Sequence, residues 1–412
     1  MIARGLLELA KLSLAARLPP GGLSRLQDHR LRRLVSHAYH NVPYYRDLFD
    51  SAGISPADIR TTEDLPRIPL TSKEDLAGLP VSEKTARGTD PQTCVTRLTS
   101  GSSGAPFCTW LTAEDILQRT LVDLRAMRAG GIGLTDKLLI IKDLKDESRK
   151  TQWFQRAGIL RREYIDLLTD REAILERLLR NDFDVLGGPT AEISILAEEI
   201  LASGRSRPRP RAVIVGAEIL DSKRRDLIRK AFGVAPVDFY GATEVGHIAW
   251  QCPQRSGYHI NADILAVEIV SGEVVVTHLG QRTMPFIRYR LGDMASLSAK
   301  PCPCGCGLPM LKEISGRIAD CIQLPSGNKI SPYTLTCSIE DIEGLKSYQI
   351  TQKTPNEIEV TYVAPPARSR AVSSQIRKRL AGLVGGEISV STRRTDRIQG
   401  EKGKFKVVQR LR

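Results

Sequence analysis

Long apolar runs are absent from this sequence of 412 residues. No segment approaches the roughly 18 uninterrupted apolar residues that a membrane-spanning helix requires, so we expect no membrane partner. The stretch from Met1 to Ala16 is partly apolar, but Glu8 and Lys11 interrupt it and no small-residue cleavage site follows. It predicts an amphipathic helix rather than a secretion signal, and we expect a cytoplasmic protein.

Cysteine is scarce, with eight residues in the chain, and three of these lie between Cys302 and Cys306. This distribution is not that of a disulfide framework. Hydrophobic residues make up 41% of the sequence and charged residues 26%, which indicates a soluble globular protein and excludes a disordered or fibrous one. At roughly 150 residues per domain, the length predicts two or three domains.

Aromatic residues account for only 5% of the chain, and few lie where positive charge is most concentrated. From Pro365 to Arg412, thirteen Lys and Arg stand against three Asp and Glu, a net charge of +10, and Phe405 is the only aromatic residue. Such a segment suits polyanions: nucleotides, coenzyme A, an acidic carrier protein or nucleic acid. Single-strand nucleic-acid binding requires interleaved aromatics. A zinc-containing, basic nucleic-acid-binding protein is therefore the least supported hypothesis, and we expect no nucleic-acid partner.

Apolar runs of strand length alternate with helical periods in the middle of the chain. The predicted strands are 138–141, 164–168, 184–186, 213–215 and 237–240, and the predicted helices between them are 171–180, 191–202 and 221–232. This alternation predicts a mostly parallel sheet with helices on both faces. Ligands bind such sheets at the loops after the carboxyl ends of strands, where 187–190, 216–218 and 241–244 lie.

The apolar period changes to two after Ile264, which predicts a hairpin of residues 264–270 and 273–277. Beyond Gly316, a small α+β unit is predicted from strands 348–352, 357–362 and 388–392 and a helix over 371–383. The expected fold class is α/β. A large N-terminal domain, residues 1–316, contains the mostly parallel sheet and a β-subdomain, and a small α+β C-terminal domain spans residues 317–412.

Helices are also predicted near the start of the chain. Ser24 followed by Gln27 resembles a capping box, and the apolar residues after it keep a helical period, which predicts a helix over 24–40. A second helix is predicted over 44–51. Thr71 and Ser72 are placed to cap a third helix at Lys73.

Short hydroxyl side chains and glycines are concentrated between Leu98 and Pro106. The candidate phosphate-binding residues are Thr99, Ser100, Gly101, Ser102, Ser103 and Gly104. Residues this small let backbone N–H groups approach an anion closely, and consecutive N–H groups in a turn can bind phosphate oxygens. The stretch lacks the Gly-Lys-Ser/Thr ending of the common P-loop, and an ordinary flexible turn is the alternative.

Four motifs follow one another in order along the chain. They are Thr99–Pro106, Tyr240–Glu244, Arg288–Asp293 followed by Gly316-Arg317, and Gly403-Lys404. This series resembles the adenylate-forming superfamily, and its details are similar to the phenylacetate–coenzyme A ligase branch, which includes coenzyme F390 synthetases and CapK-like proteins. Asn41–Arg46 and Ile68–Lys73 resemble the same branch. The resemblance thus covers nearly the whole chain.

The resemblance implies that these motifs bind ATP and Mg²⁺. The serine-glycine stretch would hold the β- and γ-phosphates through N–H and hydroxyl donors. Tyr240 has a flat face for adenine, and Glu244, next to Thr243, supplies a hard oxygen ligand for Mg²⁺. Further nucleotide contacts are expected from Gly216, Ala217, Glu218, Gly241 and Ala242.

Three further side chains complete the implied site. Asp293 has two acceptor oxygens that match a ribose diol, and Arg317 can reach ribose or phosphate as a charged donor. Lys404 would lie between the carboxylate and the α-phosphate and would stabilise charge that develops as they join. Lys402 and Lys406 alternate with Lys404, so a solvated basic strand is the alternative interpretation of this run.

Two positions depart from the pattern of the family. Ala105 stands where many relatives carry a lysine, and Leu291 replaces the usual threonine before Gly-Asp. This chain therefore differs from its relatives at one phosphate contact and one hydroxyl contact.

Cysteine and histidine residues form a second cluster, Cys252-x6-His259 followed by Cys302-Pro-Cys304-Gly-Cys306. Thiols and imidazole suit tetrahedral Zn²⁺ in a closed, structural site. Relatives in the branch show a similar set, and the resemblance favours Cys252, His259, Cys302 and Cys304 as ligands, with Cys306 as the spare. Reduced thiols without a metal are the alternative.

The resemblance implies an AMP-forming ligase that adenylates a carboxylic acid and passes the acyl group to a thiol such as coenzyme A. An amine, a hydroxyl group or a carrier protein is the alternative acceptor. The acid is by default an aryl or small acyl acid, bound near residues 187–190, 216–218 and 240–247, where His247 either lines the pocket or serves packing. The small domain would swing about a hinge at Asp320. A homodimer is a candidate assembly.

Overall fold

The computed structural model of the protein describes residues 2–98, 107–142, 144, 153–156, 158–317, 320–330, 332–396, 398 and 407–410. Its helices are α1 (Ile2–Ala15), α2 (Pro20–Asn41), α3 (Pro43–Ser51), α4 (Lys73–Ala77), α5 (Val81–Lys84), α6 (Ala113–Ala129), α7 (Trp153–Arg156), α8 (Arg171–Leu179), α9 (Thr190–Ala202), α10 (Ser222–Phe232), α11 (Pro332–Ile339) and α12 (Ser369–Leu383). Among the described residues, no helix has the length and hydropathy of a membrane span.

The strands alternate with these helices in the middle of the chain and follow one another directly elsewhere. They are β1 (Val95–Leu98), β2 (Cys108–Leu111), β3 (Leu138–Lys142), β4 (Arg162–Asp166), β5 (Val185–Pro189), β6 (Ala212–Gly216), β7 (Val237–Ala242), β8 (Gly246–Trp250), β9 (Tyr258–Ile260), β10 (Leu265–Val270), β11 (Glu273–His278), β12 (Tyr289–Leu297), β13 (Met310–Arg317), β14 (Ile322–Gln323), β15 (Lys329–Ile330), β16 (Ser347–Thr354), β17 (Glu357–Val363), β18 (Ser389–Arg394) and β19 (Val408–Arg410).

The chain divides into two compact units. The first comprises Met1–Thr135, Val237–Leu291 and Ala295–Glu313, and the second comprises Asp136–Pro236, Gly292–Met294 and Ile314–Arg412. The domain boundary that the sequence places between residues 316 and 317 stays a prediction.

Parallel strands form the first part of the second unit. The pairs β3–β4, β3–β5 and β5–β6 are all parallel, and helices α8, α9 and α10 connect or follow them. Their apolar residues share one buried core, to which Leu139, Leu186, Val213, Leu196 and Phe232 contribute. The α/β fold class that the alternating pattern predicts is confirmed.

Antiparallel pairing characterises the first unit, where β7–β8, β8–β9, β9–β13 and β10–β11 are antiparallel. The predicted hairpin is confirmed as β10–β11. Ser271 and Gly272 join its strands with φ values of 51° and 83°, the pair of positive φ angles that matches the twist of a two-residue hairpin turn.

The N-terminal helices show where local signals succeed and where they mislead. Ser72 caps α4 as expected, because its hydroxyl accepts a hydrogen bond from the Asp75 N–H and Asp75 accepts one from the Ser72 N–H. The predicted start of α2 at Ser24 is wrong. The helix begins at Pro20, since proline fixes a helical φ at the first turn, and Ser24 Oγ donates to the Pro20 carbonyl.

The residues after β13 have a core of their own within the second unit. Strands β16, β17 and β18 with β19 form a four-stranded sheet in the order β18-β17-β16-β19, and α12 lies against it. The core includes Ile350, Val360, Ile376, Leu380 and Val408, all buried. The strands and helix predicted for this region are confirmed to within three residues at each end.

Candidate functional site

The turn between β7 and β8 carries the residues from Tyr240 to Glu244. The two strands pair antiparallel, with an irregular register between Tyr240 and Gly241. A Cβ atom added to Gly241 would lie 2.6 Å from the carbonyl oxygen of Gly246, so a side chain at position 241 would force the strands apart. The glycine of this motif is therefore required by the close approach of the two backbones.

Arg119 on α6 holds the turn between β7 and β8 through hydrogen bonds to its backbone. Its guanidinium donates to the Thr243 carbonyl at 3.0 Å, to the Glu244 carbonyl and to Gln281 Oε1 at 3.0 Å. Burial lowers the pKa of Arg119 to about 10, so its charge is retained at neutral pH. The arginine thus satisfies the carbonyls of Thr243 and Glu244 and holds the backbone at both positions.

The carboxylate of Glu244 is held by a buried tyrosine. Tyr289 on β12 donates its hydroxyl hydrogen to Glu244 Oε1 at 3.3 Å, and its ring packs edge-on against Phe286. Burial raises the pKa of Tyr289, and the neighbouring Glu244 carboxylate raises it further, so the hydroxyl stays protonated as a donor. Glu244 is half-buried and presents a fixed anionic oxygen pair.

In the second unit, the loop from Gly216 to Glu218 is fastened to the start of α9. Thr190 Oγ1 lies 3.1 Å from the Gly216 carbonyl and 3.2 Å from the Glu218 carbonyl, and the Ala191 N–H donates to Glu218 Oε2 at 2.7 Å. Ala217 takes a φ of 67°, a left-handed conformation that costs free energy for a residue with a Cβ atom. The loop therefore presents its backbone in a strained, fixed form.

Asp293 and Arg317 lie together in the second unit. Arg317 Nε is 3.6 Å from Asp293 Oδ1, and the aspartate side chain is 14% exposed while the arginine is 55% exposed. Gly316, with a φ of 99°, packs so closely that an added Cβ would lie 2.9 Å from Ile219 Cδ1. Within this unit, Arg317 thus lies beside Asp293, and Gly316 packs against Ile219, the residue that follows the 216–218 loop.

Several predicted site residues lie outside the described residues. They are Thr99, Ser100, Gly101, Ser102, Ser103, Gly104 and Lys404, together with Ala105. The flanks of the serine-glycine stretch are described: β1 and β2 pair antiparallel, with Leu98 opposite Cys108.

The four favoured metal ligands lie together in the first unit. The ligand atoms of Cys252, His259, Cys302 and Cys304 are all within 4.8 Å of one another. Cys252 Sγ is 3.5 Å from Cys302 Sγ, and Cys304 Sγ is 3.4 Å from His259 Nε2. In a tetrahedral zinc site, ligand atoms at the usual bond lengths are separated by about 3.6–3.8 Å. The donor set and spacing therefore fit Zn²⁺ without large rearrangement.

Cys306, the spare cysteine, is placed differently. Its backbone N–H donates to Cys304 Sγ at 3.4 Å, and its own Sγ lies 3.8 Å from the Ala16 carbonyl. An N–H donor to a ligating sulfur orients and stabilises a thiolate. Cys306 thus supports the cluster through its backbone rather than through its side chain.

We expect purified protein to contain about one zinc atom per chain, since the cluster offers a closed set of four ligands. Cys302→Ser should lose the metal and lower the melting temperature, whereas Cys306→Ser should retain it because its contribution is a backbone N–H. Elemental analysis and thermal unfolding of the two variants check this. Equal zinc content in both variants, or none in the wild type, would contradict the assignment.

A basic cavity of about 570 Å³ lies elsewhere in the first unit. Its basic lining residues are His29, Arg32, Arg33, His37, His40 and Arg282. None of the predicted site residues within the described ranges lines it. Positive charge is therefore concentrated on α2 as well as after Pro365.

Arg119 and Tyr289 hold the Glu244 turn in the first unit, yet the sequence assigned neither of them a role of its own. Arg119 and Thr243 are 124 residues apart, and Tyr289 and Glu244 are 45 apart. No local spacing rule connects residues at such separations. Tyr289 does lie within the Arg288–Asp293 motif, and this is the one signal that pointed to it.

No family model matches the chain. Two phenylacetate–coenzyme A ligases are similar to it in sequence. The enzyme from Thermus thermophilus is 29% identical over 333 residues, which cover 74% of this chain and 72% of the enzyme. The enzyme from Escherichia coli is 29% identical over 297 residues, which cover 67% of each. The similarity therefore extends across most of the chain.

Solved structures of a 2-hydroxyisobutyryl-CoA ligase have the same fold. One structure, in the postadenylation state and in complex with R3-HIB-AMP, has a TM-score of 0.81 at 18% identity and covers 96% of this chain and 91% of the ligase. Another structure of that ligase, in an open conformation with 2-HIB-AMP and CoA, has a TM-score of 0.70. At this identity the likeness establishes the fold alone.

Proposed function

We propose that the chain is a member of the adenylate-forming superfamily, in the branch of the phenylacetate–coenzyme A ligases, and that it is an ATP-dependent, AMP-forming ligase. It activates a carboxylic acid as an acyl adenylate and transfers the acyl group to the thiol of coenzyme A. ATP, coenzyme A and a carboxylic acid are its ligands.

The observation that carries this proposal is the fixed carboxylate of Glu244. Its backbone is held by Arg119 and its side chain by Tyr289, so the charge is oriented before any ligand binds. Mg²⁺, when bound, would be held by Glu244 and would neutralise phosphate charge. The Glu244 carboxylate is half-buried, and Tyr289 donates to only one of its two oxygens, Oε1. Such a carboxylate fits a hard cation like Mg²⁺.

The reaction has two halves. In the first, a carboxylate oxygen of the acid bonds to the α-phosphorus of ATP, and the bond from that phosphorus to the bridging oxygen of pyrophosphate breaks. In the second, the sulfur of coenzyme A bonds to the acyl carbon, AMP leaves with the electron pair of the broken C–O bond, and the thiol proton passes to solvent. Negative charge is redistributed at phosphorus and at the carbonyl oxygen, so preorganised donors accelerate both steps.

The remaining roles are part of the proposal. Asp293 accepts hydrogen bonds from the ribose hydroxyls, and Arg317 beside it donates to ribose or phosphate. Tyr240 binds adenine, residues 216–218 make further contacts with the nucleotide, and the serine-glycine stretch binds the β- and γ-phosphates. Lys404 lies at the junction of acid and α-phosphate, and a hinge at Asp320 withdraws it before the thiol attacks.

The finer properties are proposed from the same resemblance. The acid is an aryl or small acyl acid, the Cys252–Cys304 cluster binds structural zinc, and the protein acts in the cytoplasm. A homodimer is the proposed assembly. Transfer to an amine, a hydroxyl group or a carrier protein is the alternative, and a competition assay with coenzyme A distinguishes these acceptors.

We expect AMP and pyrophosphate to form when the protein is incubated with ATP, Mg²⁺ and a panel of carboxylic acids. Hydroxylamine should trap the activated acyl group as a hydroxamate, because an acyl adenylate reacts with nitrogen nucleophiles at its carbonyl carbon. Formation of ADP and phosphate in place of AMP and pyrophosphate would overturn the assignment. Omission of the acid is the control, since pyrophosphate release should then stop.

A further inference from the structure

His247 and Asp123 form a pair in the first unit that the proposed roles leave unused. His247 Nδ1 lies 2.6 Å from Asp123 Oδ1. The two side chains are 35% and 31% exposed, so the pair is open to solvent on one side. Asp123 lies on α6, one helical turn after Arg119. The same helix therefore supports both the Glu244 turn and this histidine.

The pairing of β7 with β8 sets the position of His247. Gly241 and His247 are Cα partners in the register of these strands. An added Cβ at Gly241 would lie 3.1 Å from His247 Cα, so nothing separates the two backbones. His247 is also three residues after Glu244 in the chain. It therefore lies at the edge of the turn to which adenylate binding is assigned.

The orientation of the His247 ring is fixed by the surrounding residues. The ring stands edge-on to Phe239, with centroids 5.4 Å apart, and the Asn261 side chain donates to the His247 carbonyl at 2.9 Å. Asn261 is itself held by Arg125 and by Trp250, both buried. A half-exposed ring anchored by buried groups loses little conformational entropy when it binds a ligand.

One ring nitrogen remains available. Among the described residues, none forms a hydrogen bond with Nε2, while Nδ1 is engaged by Asp123. Burial alone lowers the pKa of His247, but the Asp123 carboxylate outweighs burial and the repulsion from Arg119, so the pKa is raised above its ordinary value. The Asp123 partner favours a proton on Nδ1, and the raised pKa favours a second proton on Nε2.

We propose that His247 is a specificity-determining residue that binds an oxygen acceptor on the acyl portion of the acid, away from the reacting carboxylate. The inference rests on the proposed ligase function and narrows it to acids that carry a hydroxyl group or a second carboxylate. Asp123 is a positioning residue, because it acts by holding the imidazole and its charge. A purely apolar acyl chain would leave the His247 donor without a hydrogen-bond partner. A site built around such a donor therefore discriminates against apolar acids.

The test compares acids matched in size, for example an aryl acid, its ring-hydroxylated analogue and its dicarboxylic analogue. We expect wild-type kcat/KM to be higher for the oxygen-bearing acids. His247→Leu should reduce the ratio of kcat/KM for oxygen-bearing over plain acids by roughly 10-fold or more, since a lost charge-assisted hydrogen bond has an effect of this size. The KM for ATP should stay unchanged in this variant.

Two further variants separate the hydroxyl from the carboxylate and guard against misfolding. His247→Gln keeps an N–H donor without charge, so it should restore the preference for a hydroxyl group but not for a carboxylate. In Asp123→Asn, the preference for oxygen-bearing acids should be lost at a lower pH than in the wild type. A packing role would not produce this shift. His29→Leu, a change at an exposed histidine on α2, is the matched control and should leave the ratio unchanged.

The outcomes distinguish this inference from the function on which it rests. If the wild type releases AMP with some acid but His247→Leu keeps the wild-type ratio, the specificity role is wrong and the ligase assignment stands. If the wild type releases no AMP with any acid, both fail. A reduced ratio with unchanged ATP affinity supports the role of His247.

Discussion

Replacement of Lys404 by alanine is expected to slow adenylation by on the order of 10²-fold or more, because a preorganised donor at the reacting centre typically has an effect of this size. The cation would stabilise negative charge as the carboxylate joins the α-phosphorus. The measurement is the rate of pyrophosphate release with a saturating acid. The second half-reaction should be much less affected, and thioester formation from a separately prepared acyl adenylate measures it.

Lys402 and Lys406 provide matched controls, since all three lysines alternate in one short run. Lys402→Ala and Lys406→Ala should each retain adenylation within a few-fold of the wild type, as expected for charges that do not contact the reacting atoms and whose effect is screened by salt. A large loss in one of these variants and normal adenylation by Lys404→Ala would mean that another lysine serves the reaction. Equal, small losses in all three would support the solvated basic strand.

Glu244→Gln is expected to reduce adenylation by on the order of 10²-fold or more, comparable to the loss of one preorganised electrostatic contact in an active site. The substitution removes the negative charge but keeps the shape and one oxygen acceptor. Because the proposed role is to hold Mg²⁺, higher Mg²⁺ concentration should recover part of the lost rate. Initial rates of pyrophosphate release over a range of Mg²⁺ concentrations measure this effect.

Tyr289→Phe separates the charge of Glu244 from its orientation. It removes only the hydroxyl that donates to Glu244 Oε1, so the expected loss is roughly 10-fold, the usual size for one hydrogen bond to a charged group.

Glu63→Gln, at an exposed position in the first unit, should leave the rate unchanged. Wild-type rates for Glu244→Gln at low Mg²⁺ would refute the metal role.

Local sequence patterns were sufficient for most of the longer strands and helices of the second unit, although α7, α11, β14, β15 and β19 were not predicted. The runs at 138–141 and 213–215 became β3 and β6, each extended by a residue or two, and Gly233 ends α10 in a left-handed conformation with a φ of 82°. These features depend on side-chain periodicity and on backbone φ preferences, which are properties of a few adjacent residues. The start of α2 differed because Pro20, a strong helix initiator, precedes the Ser24 signal.

The composition of the candidate site was also evident in the sequence, because motifs of two to eight residues carry the glutamate, aspartate, arginine and cysteines. The structure added the groups that hold them. Arg125 forms a buried ion pair with Asp263 at 2.7 Å and a hydrogen bond with Asn261, and these contacts support β8. Asn261 and Asp263 are 136 and 138 positions away from Arg125 in the chain. Such a pair leaves no local pattern, since neither partner is special among its own neighbours in the chain.

Local patterns in the sequence established the α/β class, most elements of the middle of the chain, the superfamily motifs and the four Cys and His side chains that cluster. The folded chain was needed to show that Arg119 holds the Glu244 turn, that Tyr289 orients the Glu244 carboxylate, and that His247 pairs with Asp123. The physical reason is the range of the forces involved. Periodicity, capping and turn geometry act over a few residues, whereas hydrogen bonds that orient a site join side chains that meet only after the chain has folded.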